Sequence, residues 1–137
     1  MDDRHVKQVI VWRKDLKVRA GKRMAQASHA SMAPIFNMMN DESGLVDCCF
    51  SIYCEDEDPF VIWKNGKFTK IVVSVDNEEQ LLQLFERIKT ERRFIPIALI
   101  TDAGLTEFNN VPTNTCLGIG PWWSDEIDEF TKDLPLF

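Results

Sequence analysis

Two hydrophobic periods divide the chain. Val6, Val9, Ile10, Val11 and Trp12 form a nearly continuous apolar run, which predicts a buried strand over residues 6–12. Gly21 then opens a predicted helix reaching about Met39. Ala25, Met32, Phe36 and Met39 share one of its stripes, suited to packing on a sheet, and Pro34 should kink or interrupt it. Residues 41–66 show no sustained period and an acidic run, Glu55 to Asp58, that ends in Pro59; they read as an irregular excursion, with a short strand over residues 49–53. Further strands are predicted over residues 70–75, 95–100 and 116–119. Between the first two lies a helix bearing Leu81, Leu84, Phe85 and Ile88, with Asp76 and Glu79 in a capping-box spacing. Ser124 should cap a last short helix holding Ile127 and Phe130. Strands alternating with helices imply an α/β sandwich.

At 137 residues the chain suits one domain, able to bury a core without disulfides or a metal. No apolar run is long enough to span a bilayer, and the first residues lack the apolar core of a secretory signal, so a cytoplasmic protein without a membrane partner is expected. Cys48, Cys49, Cys54 and Cys116 match no common zinc spacing, so no metal site is expected. The net charge is −6, which argues against a nucleic-acid partner until its distribution is considered. Residues 1–23 hold eight Lys or Arg against three Asp, while the remainder is strongly acidic. A basic segment on an acidic body can hold a phosphate backbone, because binding follows local potential; a solvated loop is the equally simple reading.

Chemistry concentrates in a few segments. Lys22, Gln26 and His29 follow the basic loop at i, i+4 and i+7 of a helix, next to its positive N-terminal end. That arrangement suits a phosphate or an oxyanion. Asp102-Ala-Gly104 ends a strand in a tight turn at the edge where α/β proteins bind ligands. Asp102 there either orients a water or caps the turn. Gly118 and Gly120 close a strand and lack the third glycine of a dinucleotide fingerprint, and no nucleophile elbow is present.

Taken together these segments resemble the archaeal and eukaryotic-type peptidyl-tRNA hydrolases, the second class of that enzyme, found also in some bacteria and phages. The resemblance rests on Arg13, Asp15, Leu16 and Lys17, then Gly21-Lys22, Gln26 and His29-Ala30. It continues through Asp102, Gly104 and Thr106, and then Thr115 with Gly118, Gly120 and Pro121. It covers nearly the whole chain outside residues 41–62. Departures are Ala20 where a second basic residue is usual, Met24 for an alanine, and Lys132-Asp133 where the family has Gly-His near its end. The resemblance implies a three-layer α/β/α sandwich with a mixed four-stranded sheet, a homodimer, and hydrolysis of peptidyl-tRNA without metal or cofactor. It implies Lys22, Gln26, Asp102, Thr106 and Thr115 at the active site, with His29 near it. Arg13, Lys14, Lys17, Arg19 and Lys22 would receive the tRNA, and DNA is not an expected partner. A non-catalytic RNA-binding module, or an interaction domain using the insert and Trp122-Trp123, is the alternative.

Overall fold

A computed structural model describes residues 4–41, 50–105 and 107–137. Strand β1 (Val6–Arg13) leads into α1 (Ala20–Phe36). A short pair, β2 (Asn40–Asp41) and β3 (Phe50–Ser51), precedes α2 (Pro59–Asn65). Then follow β4 (Lys70–Val75), α3 (Glu78–Glu91), β5 (Ile97–Asp102), β6 (Thr113–Trp123) and α4 (Ser124–Thr131). The main sheet has the order β4-β1-β6-β5. β1 pairs parallel to β4 and antiparallel to β6, and β5 pairs antiparallel to β6, so the sheet is mixed. Near the chain's end, Phe137 N–H donates to Val72 C=O and Pro135 C=O accepts from Ser74 N–H, covering the β4 edge.

Each strand sends alternate side chains to opposite layers. Val9, Val11, Leu117 and Ile119 meet Leu81, Leu84 and Ile88 of α3 and Ile127 and Phe130 of α4. Each fully buried aliphatic side chain there contributes about 1.5–3 kcal/mol. Ile10, Trp12, Ile100 and Cys116 face α1 through Ala27, Ala30 and Ala33. The result is the expected sandwich, with α1 on one face and α3 and α4 on the other.

The stripe that α1 buries differs from the expected one. Gln26, Ala30 and Pro34 are buried, whereas Met32 and Phe36 are exposed. Closeness decides this. α1 lies so near β6 that a Cβ on Gly118 would stand 1.9 Å from the Ala30 carbonyl oxygen and 3.1 Å from Pro34 Cγ. Only small residues and a flat proline ring fit such a contact. Pro34 lies in the last turn of α1, and the helix ends two residues after it, at Phe36. Buried Gln8 ties the far end of α1 down: its Nε2 donates to Ser31 C=O at 2.7 Å, and its Oε1 accepts from Ser31 Oγ at 2.6 Å.

Other boundaries shift for local reasons. Asn77, not Asp76, caps α3: Asn77 Oδ1 accepts from Gln80 N–H at 2.9 Å, and Gln80 Oε1 accepts from Asp76 N–H at 2.8 Å. The cap thus forms one residue later, with Gln80 reaching back past it to Asp76, while the Asp76 side chain pairs with Lys14. Ser124 is the first residue of α4 and makes no side-chain cap; its N–H donates to His5 C=O at 2.8 Å. Part of the region read as irregular is helix α2, which starts at Pro59 and buries Trp63. Cys48, Cys49 and the rest of residues 42–49 lie outside the described residues. Trp122 and Trp123, candidates for an interaction surface, are half-buried, with the Arg4 guanidinium 4.3 Å from the centre of the Trp123 ring.

Candidate active site

At one end of the sheet, α1 begins, β5 ends and β6 begins. Lys22 Nζ lies 2.8 Å from Asp102 Oδ1, and Gln26 Nε2 donates to the same oxygen at 3.1 Å. Asp102 Oδ2 accepts from Gly104 N–H at 2.8 Å. Behind them Thr115 Oγ1 donates to Gln26 Oε1 at 2.6 Å. That bond fixes the amide so that its nitrogen faces Asp102. Lys22 and Asp102 side chains are 15% and 13% exposed, enough for substrate to reach them and little enough to raise their mutual attraction.

A β-bulge brings Thr115 into this network. Ile100 pairs with Cys116 and Thr101 with Asn114, so Thr115 is the extra residue on β6. The bulge lets neighbouring Thr115 and Cys116 both face α1, where alternation would separate them. Cys116 Sγ donates to the Gln26 carbonyl at 3.4 Å. Gly104 has a different necessity: its φ is +81°, and a Cβ there would meet the Val111 carbonyl oxygen at 2.2 Å.

Electrostatics keep the carboxylate charged. The hydrogen bond from Lys22 is the largest influence holding Asp102 below the usual carboxylate range, and the Gly104 N–H and Gln26 add to it against the opposing effect of burial. Asp102 is therefore a weak base and a permanent anion at neutral pH. Burial pushes the Cys116 thiol up to about 11, which removes it as a nucleophile. Glu107 supplies a second carboxylate, at the start of α1: it accepts from Arg19 N–H at 3.1 Å and Arg19 Nε at 2.7 Å. No role for Glu107 is readable from the sequence except its place three residues after Gly104. Phe108 lies under the Lys22 ammonium, 5.9 Å from it.

The structure thus gathers Lys22, Gln26, Asp102 and Thr115, and Thr115 is fully buried, so it positions Gln26 and does not face the opening. His29 is not gathered. It is exposed, because a three-residue step from Gln26 turns about 60° away while the four-residue step to Ala30 stays nearer the sheet. Thr106 lies outside the described residues. The basic segment is also divided. Arg13 is only 11% exposed and bonds to Asp15, Glu78 and the Asn114 carbonyl, so it is a structural clamp. Lys14 pairs with Asp76 at 2.8 Å and Arg19 with Glu107 at 2.7 Å. Lys17 is exposed and has no ion pair or hydrogen bond among the described residues. Among those residues no group of three His, Cys, Asp or Glu is placed to hold a metal.

A family model described as Peptidyl-tRNA hydrolase PTH2 matches residues 6–137. The peptidyl-tRNA hydrolase of Methanopyrus kandleri is 42% identical over 130 residues, which cover 95% of this chain and 97% of that one. That of Staphylothermus marinus is 38% identical over 132 residues, covering 95% and 93%. That of Methanococcus maripaludis is 35% identical over 129 residues, covering 94% and 97%.

Proposed function

We propose, because the chain belongs to the PTH2 family of peptidyl-tRNA hydrolases, that it cleaves the ester between a peptide and its tRNA at the Lys22–Gln26–Asp102 cluster. The observation that supports this placement is the convergence of Lys22 Nζ and Gln26 Nε2 on one Asp102 oxygen, at the open end of the sheet. Water bonds to the ester carbonyl carbon, and the carbonyl oxygen takes the negative charge. Lys22 stabilises that charge with its ammonium, and buried Gln26 holds Asp102 in place beside it. The bond from carbon to the ribose oxygen breaks, and the proton lost by water ends on that oxygen. Asp102, held ionised, aims the attacking water and steadies Lys22. Thr115 acts through Gln26. Thr106 belongs to the same set by the resemblance.

The test compares substrates. Purified protein in EDTA should hydrolyse an N-acetylaminoacyl-tRNA and spare the matching free aminoacyl-tRNA by about tenfold or more, because a free α-ammonium would approach the Lys22 charge. Equal turnover of both, or loss of hydrolysis on chelation, would overturn the reading.

The tRNA backbone crosses the basic loop, with Lys17 its freest cation. Affinity should fall linearly with the logarithm of salt concentration, and Lys17→Ala should reduce that slope by about one unit. Arg13→Ala should instead lower thermal stability, since three acceptors lose their donor. A salt slope unchanged in Lys17→Ala would move the tRNA off this loop. Among the described residues no helix is long and apolar enough to cross a membrane, and the substrate suits a cytoplasmic enzyme. A homodimer is part of the reading; exposed Met32 and Phe36 on the outer face of α1 support it.

A further inference from the structure

We infer that Glu107 is a positioning residue for the hydrolysis: it clasps the start of α1 to the loop between β5 and β6 and so fixes where the Lys22 ammonium stands. The inference deepens the reading of the site given above and rests on it. Glu107 turns both of its oxygens to Arg19, Oε2 accepting from the backbone N–H at 3.1 Å and Oε1 from Nε at 2.7 Å. Its side chain is 12% exposed and that of Arg19 is 82% exposed, so the carboxylate is the seated partner of the pair.

The helix start explains why a carboxylate from elsewhere is needed. Arg19 stands at the N-cap of α1 and makes no side-chain cap, and the first turn holds no acid. In a capping box the third helical residue is a Glu or Gln whose side chain accepts from the N-cap N–H. That position here is Lys22, a donor, and its Nζ lies 2.8 Å from Asp102 Oδ1. Glu107, distant in sequence, supplies the missing acceptor and sets a negative charge at the positive end of the helix. The same clasp seats the loop against Lys22. Gly104 C=O accepts from Asn110 N–H at 2.8 Å and Phe108 C=O from Val111 N–H at 2.9 Å, which folds the loop back on itself. Gly104 N–H fixes one end on Asp102 Oδ2 at 2.8 Å. Glu107 ties the loop to α1, and Phe108, the next residue, brings its ring centre 5.9 Å from Lys22 Nζ. Lys22 is thus flanked by the Asp102 carboxylate and by a ring face that attracts a cation. The hydrogen bond from Arg19 is the largest influence holding the Glu107 carboxyl below its usual range, and the charge of Lys22 adds to it. The clasp therefore stays ionised at neutral pH.

The experiment is a double-mutant cycle between Glu107 and Lys22, read as kcat and KM for an N-acetylaminoacyl-tRNA with thermal melts alongside. Glu107→Ala should lower kcat by about tenfold, as displacement of a fixed ammonium implies. It should not raise KM, because Arg19 is released and not removed. On a Lys22→Ala background the same change should cost little further, since no ammonium is left to position. Glu107→Gln keeps an acceptor for the Arg19 N–H and loses the charge. It should lose only about threefold in kcat, a factor that again vanishes on Lys22→Ala, and it carries the test if Glu107→Ala does not fold. Losses that multiply in the double variants overturn the inference, because Glu107 then acts on the fold or on another group. A loss carried by KM, or a Glu107→Ala protein with the parental kcat, overturns it as well. Normal turnover in Lys22→Ala alone overturns the underlying reading of the site instead.

Discussion

Asp102→Asn is expected to keep the fold and lose turnover by about a hundredfold or more. One amide oxygen can still accept from Gly104 N–H, so the turn survives. The amide nitrogen then opposes Lys22 Nζ and Gln26 Nε2, three donors with no acceptor between them. The anion that aims water is gone, while tRNA binding through the basic loop remains. Lys22→Ala should lose a similar factor and also bind tRNA more weakly, since it removes a cation at the helix start. It also removes the largest influence holding the Asp102 carboxyl below the usual carboxylate range. In the wild-type protein Asp102 is lowered on folding. Its contribution to stability is present above the ordinary value of 3.8 and is lost as pH falls through the lowered one. In Lys22→Ala that loss, and the acid limb of turnover that follows Asp102 ionisation, should move to higher pH. Steady-state turnover, tRNA binding and thermal melts against pH measure all three. Near-normal turnover in Asp102→Asn would reduce Asp102 to a cap on the Gly104 turn and send the search for a water-orienting group elsewhere.

The contrast between α1 and its neighbours explains what the sequence reveals. β1, β4 and α3 are legible because Val9, Val11, Val73, Leu81 and Ile88 fill one ordinary layer, where large apolar residues mark the inside. On α1 the same rule misleads. The helix lies so close to Gly118 that Ala30 and Pro34 face inward, and Met32 and Phe36 are left outside. The i+4 spacing of Gln26 from Lys22 is legible and the two converge on Asp102, whereas His29 is exposed because its seven-residue step from Lys22 turns back about 20°, away from the stripe of Gln26, Ala30 and Pro34. Thr115 and Gln26 meet through a bulge, and no period in the sequence announces an inserted residue. The basic loop is visible as charge, but its partners are not: Asp76 and Glu107 are distant in sequence and neutralise Lys14 and Arg19. Only the fold separates a cation that binds phosphate from one that holds a loop.

The Gly118 contact carries the second large expectation. A methyl added there would have its Cβ 1.9 Å from the Ala30 carbonyl oxygen, a backbone atom that no rotamer change can move. Gly118→Ala must therefore push α1 off β6 along its central turn. Overpacking of this kind costs about 1–3 kcal/mol or more, which lowers Tm by roughly 5–10 °C in a domain of this size. The loss should reach the site as well. Gln26 lies one turn before Ala30, and its bonds to Thr115 at 2.6 Å and Asp102 at 3.1 Å tolerate little displacement. Turnover should fall about tenfold or more, through kcat more than through tRNA binding, because Lys17 and the basic loop are not attached to that turn. Gly21→Ala is the matched control: nothing lies within 4 Å of a Cβ there, and the position is helical. It should raise stability by about 0.5–1 kcal/mol and leave turnover intact. Differential scanning calorimetry beside single-turnover hydrolysis separates the cases. A Gly118→Ala protein that melts early yet turns over normally would show that the catalytic cluster does not depend on the seat of α1. One that melts and turns over like the parent would show that α1 has room to move at no cost.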